Sequence, residues 1–162
     1  MAAFRTIAFL SAAIGAFAQQ AAPPKTQPLP FSHKTHTAAG LKCLECHPNP
    51  DPGDHMTFPA TARCMACHIT IAKDKPAIQK LAAFAKSKEP IPWVRVYILP
   101  AEVYWDHRAH LKAGQQCEAC HGPVAQMDAT VKTTNVTTMA GCLECHRNNN
   151  AGTGCGFCHE EK

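Results

Sequence analysis

Apolar residues that build a protein core are scarce in this chain. From Gln19 onward, Ile, Leu, Val and Phe make up 22 of 144 residues, a share at which a polypeptide does not normally build its own core. No second long apolar run follows the N-terminus, so no transmembrane span is expected in the mature chain. The formal charge of +4 comes without a basic cluster interleaved with aromatics, so no nucleic-acid partner is expected.

Cysteine is absent outside one repeated pattern, Cys-x-x-Cys-His. Its five copies contain all ten cysteines of the chain. The cysteine pairs are Cys43 and Cys46, Cys64 and Cys67, Cys117 and Cys120, Cys142 and Cys145, and Cys155 and Cys158, and the histidines that follow them are His47, His68, His121, His146 and His159.

This pattern is typical of c-type haem attachment. Two thiols at this spacing can form thioethers to one porphyrin, and the adjacent histidine becomes the proximal iron ligand. Zinc ribbons and disulfide frameworks use paired cysteines too, but neither needs a histidine after every second one. The sequence therefore predicts five covalently attached haem c groups. Their apolar porphyrins replace the missing core, so we expect the apoprotein to be largely unfolded.

The N-terminus has the pattern of a secretory signal. Residues 1–18 contain one positive charge, Arg5, then an apolar run that is too short to span a bilayer, and they end in Ala16-Phe17-Ala18. Residues 19–30 are rich in Ala, Pro and Gln, which predicts a flexible lead-in. We expect an exported protein, periplasmic or extracellular at the cell surface, because thioether attachment of haem takes place outside the cytoplasm in bacteria.

An internal repeat organises the rest of the chain. Residues 31–47 match residues 105–121 at an offset of 74 without a gap. Each copy has an aromatic residue, His-x-x-His, a glycine turn and then a haem motif. The pattern predicts a pentahaem domain over 31–162 made of a first di-haem unit (31–68), a haem-free connector (69–104), a second di-haem unit (105–146) and a fifth-haem segment (147–162).

The connector should contain a helix from Pro76 to about Lys86 and a short extended segment over 93–99. It either packs the two units together or offers a docking surface for a partner. Elsewhere we expect a mostly irregular fold of short α-helices with little β-structure, organised around the haems.

Five histidines lie outside the motifs, matching the five irons that need a distal ligand: His33, His36, His55, His107 and His110. Bis-histidine ligation gives a low-spin, low-potential iron that transfers electrons. On a helix, the two rings of His-x-x-His project from one side and can serve two adjacent irons. His55 lies in an Asp/Pro/Gly loop without a counterpart in the second unit, and Met56, Met127 and Met139 are alternative ligands.

Phe31-Ser32-His33-x-x-His36 followed by Cys43-x-x-Cys46-His47 resembles the class III multihaem cytochromes c, the cytochrome c3 and c7 group. The resemblance implies that His33 pairs with His47 and His107 with His121, while His36 and His110 reach other haems. The whole chain, with Ile91-Pro92-Trp93-Val94-Arg95-Val96 between the units, more loosely resembles the pentahaem subunits of membrane-bound respiratory complexes such as alternative complex III.

These features favour an electron carrier, not an enzyme, that moves electrons between redox proteins, with a membrane-bound respiratory complex as one candidate partner. A reductase of a small substrate remains an alternative, since one haem would be five-coordinate if His55 is not a ligand. Against this reductase, all five motifs end in histidine, whereas nitrite reductases of this kind often have lysine there. A structural, filament-forming extracellular cytochrome is the third alternative.

Overall fold

Short helices and long loops make up the described chain, which is residues 26–133 and 135–160 of a computed structural model. The α-helices are α1 (His33–Ala38), α2 (Cys43–Cys46), α3 (Thr61–His68), α4 (Pro76–Ser87), α5 (His107–Lys112), α6 (Cys117–His121) and α7 (Met139–Asn148), with 3₁₀ turns at Val124–Gln126 and Cys155–Phe157. No β-strand occurs in these residues. The expected fold class, mostly irregular with short α-helices, is confirmed. The predicted signal peptide lies outside the described residues.

The two copies of the repeat share their local structure. Helix α1 begins after Ser32, whose hydroxyl accepts a hydrogen bond from the Thr35 N–H, and α5 begins after Asp106, whose carboxylate accepts from the Arg108 and Ala109 N–H groups. Such side chains satisfy N–H groups that the first helical turn leaves without partners. Two residues after the end of each six-residue helix lies a glycine with positive φ, +90° at Gly40 and +82° at Gly114, which lets the chain turn into the haem motif.

Buried apolar side chains are few. Among the described residues, only Leu29, Leu81 and Ile91 are buried hydrophobics, and Cys64, Met65, Ile78, Phe84 and Trp93 pack around them. The cluster joins helix α4 to the loops on either side of the first unit. A core of this size cannot offset the conformational entropy lost by more than 130 ordered residues.

The end of the predicted lead-in contacts the rest of the chain. Residues 26–30 lie within the described chain, and Leu29 belongs to the buried cluster. The side-chain amide of Gln27 donates to the Val94 carbonyl at 2.8 Å and accepts from the Val94 N–H at 3.0 Å. These contacts attach the lead-in to the connector. Residues 19–25 lie outside the described residues.

The connector contains the expected helix and no strand. Helix α4 has Pro76 at its first turn and ends one residue before Lys88, which has a left-handed φ of 61°. It packs against α3 of the first unit. The segment 91–100 forms no strand because no neighbouring segment pairs with it.

The two units contact each other directly. Helix α1 lies against the 3₁₀ turn of the second unit, where the Lys34 N–H donates to the Met127 carbonyl at 3.1 Å and the Thr37 hydroxyl donates to the Ala125 carbonyl at 2.8 Å. In the opposite direction, the Arg108 N–H of α5 donates to the Gly53 carbonyl of the first unit at 3.1 Å. Within residues 26–133 and 135–160, no helix combines the length and apolar composition needed to cross a membrane.

Candidate haem-binding site

Eight of the ten histidines form four pairs of facing rings. Each pair joins one motif histidine to one histidine of a His-x-x-His sequence. The centroid distances are 6.3 Å for His33 and His47, 6.1 Å for His36 and His68, 6.4 Å for His107 and His121, and 6.1 Å for His110 and His146. Each His-x-x-His helix therefore reaches both motifs of its own unit.

The spacing of these pairs stays constant while their orientation varies. The angles between ring planes are 20°, 67°, 3° and 43° in the same order. Rings in direct contact change their spacing with angle, whereas a shared central atom fixes it. Two imidazoles that bind one metal from opposite sides, with metal–nitrogen bonds of about 2.0–2.1 Å and ring centres about 1.1 Å further out, have centroids about 6.2 Å apart. The four pairs therefore fit an iron with two axial histidines.

Hydrogen bonds hold the rings in the tautomer that ligation requires. Seven of the eight paired rings use Nδ1, and six of these partners are backbone carbonyls, which can only accept. The partners are the carbonyls of Ser32 for His36, Thr57 for His47, Ile71 for His68, Asp54 for His107, Asp106 for His110 and Gly152 for His146, at 2.6–3.0 Å. With Nδ1–H donating, Nε2 carries the lone pair that can bind iron.

Each unit also supports the first histidine of the other. The loop between the two motifs of the first unit supplies the Asp54 carbonyl, which accepts from His107 Nδ1 at 2.8 Å. The corresponding loop of the second unit supplies Thr130, whose hydroxyl lies 3.0 Å from His33 Nδ1. The side chains of Arg108 and Asp51 form an ion pair beside the first of these contacts. The first histidine of each unit therefore has a hydrogen-bond partner in the other unit.

An aromatic ring packs on each His-x-x-His sequence. Phe31 stacks on His36 at 4.4 Å and 19°, and Trp105 stacks on His110 at 4.0 Å and 29°. The same aromatics meet the first histidines edge-on, Phe31 on His33 and Trp105 on His107. These contacts restrict rotation of the rings, so the residue that opens each repeat sets the orientation of two histidines.

Burial lowers the pKa of two of the paired rings, which favours their neutral form. Desolvation lowers the pKa of His33, and the nearby His47 and His36 rings lower it further. The pKa of His121 falls for the same reasons, first burial and then the proximity of His107 and His47. The neutral form is the one that binds a metal. The influence of His47 on His121 also shows that the first sites of the two units are neighbours.

The cysteines show the order of the motifs in space. Burial raises the pKa of the Cys64 thiol, and the neighbouring Cys46 raises it further. The pKa of the Cys117 thiol is raised by burial and by its proximity to Cys43, with which it forms a hydrogen bond. The pKa of Cys142 is raised by burial and then by nearby Cys158.

Cys120 joins the third and fourth motifs, because burial raises its pKa first and Cys145 and Cys142 add to the shift. The motifs therefore follow one another in the order second, first, third, fourth, fifth. No cysteine forms a disulfide, which leaves all ten thiols for other chemistry. In the described part of the chain, no group of three or more His, Cys, Asp or Glu side chains is arranged to hold a bare metal ion.

The fifth motif differs from the others. His159 is half-buried and its Nδ1 donates to the Glu160 carbonyl at 3.1 Å, but no ring of the described histidines faces it at the spacing of the four pairs. His55 is the one exposed histidine, with its Nδ1 3.1 Å from the Asp54 carboxylate. His55 and Phe157 of the fifth motif both line a cleft of about 560 Å³, which also contains the His110–His146 pair.

Several apolar side chains within or next to the motifs are largely exposed. Leu44, Met139 and Phe157, which lie within or next to motifs, are 57%, 69% and 69% exposed. The buried indole Nε1 of Trp93 has no hydrogen-bond acceptor, although Trp93 lies near the rings of Phe31 and Phe58 beside the His33–His47 pair. Exposed apolar groups and an unpaired donor are what an apolar macrocycle with carboxylate substituents would cover. The surroundings therefore fit a porphyrin.

The short-helix fold and the repeated motifs define a multihaem c-type cytochrome. The model of the class III cytochrome c family matches residues 11–91, half of the chain, and the chain belongs to this family. It is 28% identical over 172 aligned residues to the menaquinone reductase multihaem cytochrome c subunit of Nitratidesulfovibrio vulgaris, covering 90% of this chain and 82% of that protein. It is 41% identical over 59 residues to cytochrome c3 of Desulfuromonas acetoxidans, covering 35% of this chain and 79% of that protein.

Family membership implies covalently bound haem c and a role in electron transfer. Haem c supplies one-electron redox chemistry at its iron. The sequence interpretation identified the motifs and the spare histidines, but it missed the residues that orient them. The matched aromatics, Phe31 and Trp105, carried a usable signal, because they precede His-x-x-His at the same position in both copies. No local pattern pointed to Asp54 or Thr130, since both act on a histidine of the other unit.

Proposed function

We propose that this chain is an exported, periplasmic pentahaem cytochrome that carries electrons at low potential between redox partners. The observation that supports this most strongly is the set of four histidine pairs, each containing one motif histidine. In this proposal the ten motif cysteines attach five haems and the five motif histidines are proximal ligands. The distal ligands are His33, His36, His107 and His110, paired as described above.

The second sphere favours a low potential. Two imidazoles already give a lower potential than histidine with methionine. Donation from Nδ1 to a carbonyl makes an imidazole more basic, and a more basic ligand stabilises ferric iron. Seven rings have such a carbonyl partner: His36, His47, His68, His107, His110, His146 and His159. The second sphere therefore acts in the same direction at all five proposed sites.

For the fifth iron we propose His55 as the distal ligand of the site built on His159. Its loop is fixed to α5 by contacts of Gly53 and Asp54, and it borders the cleft that Phe157 also lines. The Asp54 carboxylate holds Nδ1 and leaves Nε2 available.

The partner we propose is a membrane-bound, quinone-linked respiratory complex. Support comes from the relative in N. vulgaris, which is named as a subunit of a menaquinone reductase and aligns with 90% of this chain. The consecutive order of the five motifs places the second and fifth motifs at the two ends of the series. These ends are the places where a donor and an acceptor can approach separately.

A reductase is the second candidate, favoured by one observation: the unpaired ring of His159. An iron with one axial histidine has an open position where a small substrate can bind. Intact mass and EPR of the oxidised, haem-loaded protein distinguish the two candidates. Five haems, all low-spin, are expected for the carrier. Fewer than five haems contradicts the pentahaem proposal, and a high-spin signal from one iron in five contradicts His55 ligation and favours the reductase.

A further inference from the structure

His33 differs from the six paired rings whose Nδ1 donates to a backbone carbonyl. Its Nδ1 lies 3.0 Å from the Thr130 hydroxyl, in the other unit, whereas the symmetry-related His107 donates to the Asp54 backbone carbonyl. A carbonyl can only accept. A hydroxyl can donate or accept and can rotate. The two first sites therefore have nearly parallel ring pairs, at 20° and 3°, but chemically different supports.

Thr130 lies at the contact between α1 and the second unit, here called the seam, and this contact fixes its position. Asp128, two residues earlier, accepts a hydrogen bond from the Ser32 hydroxyl at 2.8 Å, and Met127 accepts from the Lys34 N–H. These contacts attach the chain before Thr130 to both sides of His33 in the sequence. The hydroxyl is therefore held at the ring by the backbone, and both Thr130 and His33 are partly buried.

We propose that Thr130 is a positioning residue that sets both the potential and the ring orientation of the site formed by His33 and His47. The inference rests on the proposed ligation of iron by these two histidines. With iron on Nε2, Nδ1 carries the proton and donates to the Thr130 hydroxyl, which makes His33 a more basic ligand. Losing this acceptor favours the ferrous state, and it frees the ring to rotate away from its 20° angle to His47.

The test compares Thr130→Val with Thr130→Ser and Thr37→Val in the haem-loaded protein. Valine keeps the shape of threonine but removes the hydroxyl, while serine keeps the hydroxyl. Thr37 is the matched control, because its hydroxyl also reaches the second unit, at the Ala125 carbonyl 2.8 Å away, and of His33 it contacts only the backbone carbonyl, at 3.0 Å, not the ring. Midpoint potentials come from a spectroelectrochemical titration, and ring orientation from the g values in EPR.

We expect Thr130→Val to shift one of the midpoints to higher potential and to change one near-parallel EPR component, while the other components stay in place. Thr130→Ser and Thr37→Val should leave both readouts unchanged. An unchanged Thr130→Val variant overturns the inference. An equal shift in Thr37→Val also overturns it, because the effect would then come from loosening the seam. A wild-type protein without bis-histidine signals contradicts the proposed ligation instead, so the two failures are distinguishable.

Discussion

The ring angles predict which EPR component belongs to which histidine. In a low-spin ferric haem, parallel axial imidazoles separate the energies of the two iron d orbitals that overlap with the π systems of the ligands. Perpendicular imidazoles leave these two energies nearly equal. The g values of a parallel pair are therefore rhombic, and those of a crossed pair are dominated by one large value. The His36–His68 pair, at 67°, should give the most anisotropic signal, and the His33–His47 pair, at 20°, a rhombic one.

Replacing His36 by Ala should remove the most anisotropic component and convert one of the five proposed irons to a high-spin, five-coordinate state. The imidazole is the only metal-binding group that this substitution removes. Replacing His33 by Ala is the matched variant, since it lies three residues away on the same helix α1. It should produce the same amount of high-spin iron but remove a rhombic component instead.

The measurement is quantitative EPR of each oxidised variant, with optical spectra to count haems. The assignment is refuted if both variants lose the same component, or if His36→Ala leaves the most anisotropic signal intact. His36→Met provides a further check. Methionine keeps the iron six-coordinate and should raise a single midpoint potential.

Three further predictions concern haem number and stability. Cys158→Ser together with Cys155→Ser should lower the intact mass by one haem and leave four low-spin components, and a mass loss of two haems would contradict independent attachment. Gly53→Ala should destabilise the holoprotein against denaturant by more than Gly40→Ala. Both glycines have positive φ, so each substitution has a backbone cost of about 1–2 kcal/mol. Only at Gly53 does an added Cβ also collide with the Arg108 side chain. The apoprotein should show little helical circular dichroism and no cooperative unfolding, since Leu81 and two other residues are its only buried hydrophobics in the described chain.

Sequence reasoning predicted the features that depend on residues close together in the chain. Pro76 favours a helix start, and Gly40 and Gly114 permit the turns that follow α1 and α5. The haem motif is also local, because two thioethers and one ligand need five consecutive residues. These features depend on neighbours in the chain. The predicted helix start and turns occur in the structure, whereas haem attachment at the motifs stays a proposal.

The remaining features depend on contacts between distant residues. Nothing around Thr130 marks it as a partner of His33, 97 residues away. Leu29 lies in a stretch rich in Pro and Gln, and its burial follows only from Leu81 and Ile91 meeting it. The position of His55 relative to His159 is of the same kind, since it depends on where the loop of one unit meets the last turn of the chain.

The exchange of hydrogen-bond partners between the two units is reciprocal, as contacts are in a twofold interface. In a symmetric dimer, a residue of one subunit contacts a second residue of its partner, and the same contact recurs with the roles reversed. Here the loop of each half holds the first histidine of the other half, through Asp54 and Thr130. The chain is thus organised like a homodimer joined by a tether. A protein fragment of residues 31–68 alone would leave His33 without its support from Thr130. We expect two such fragments to associate.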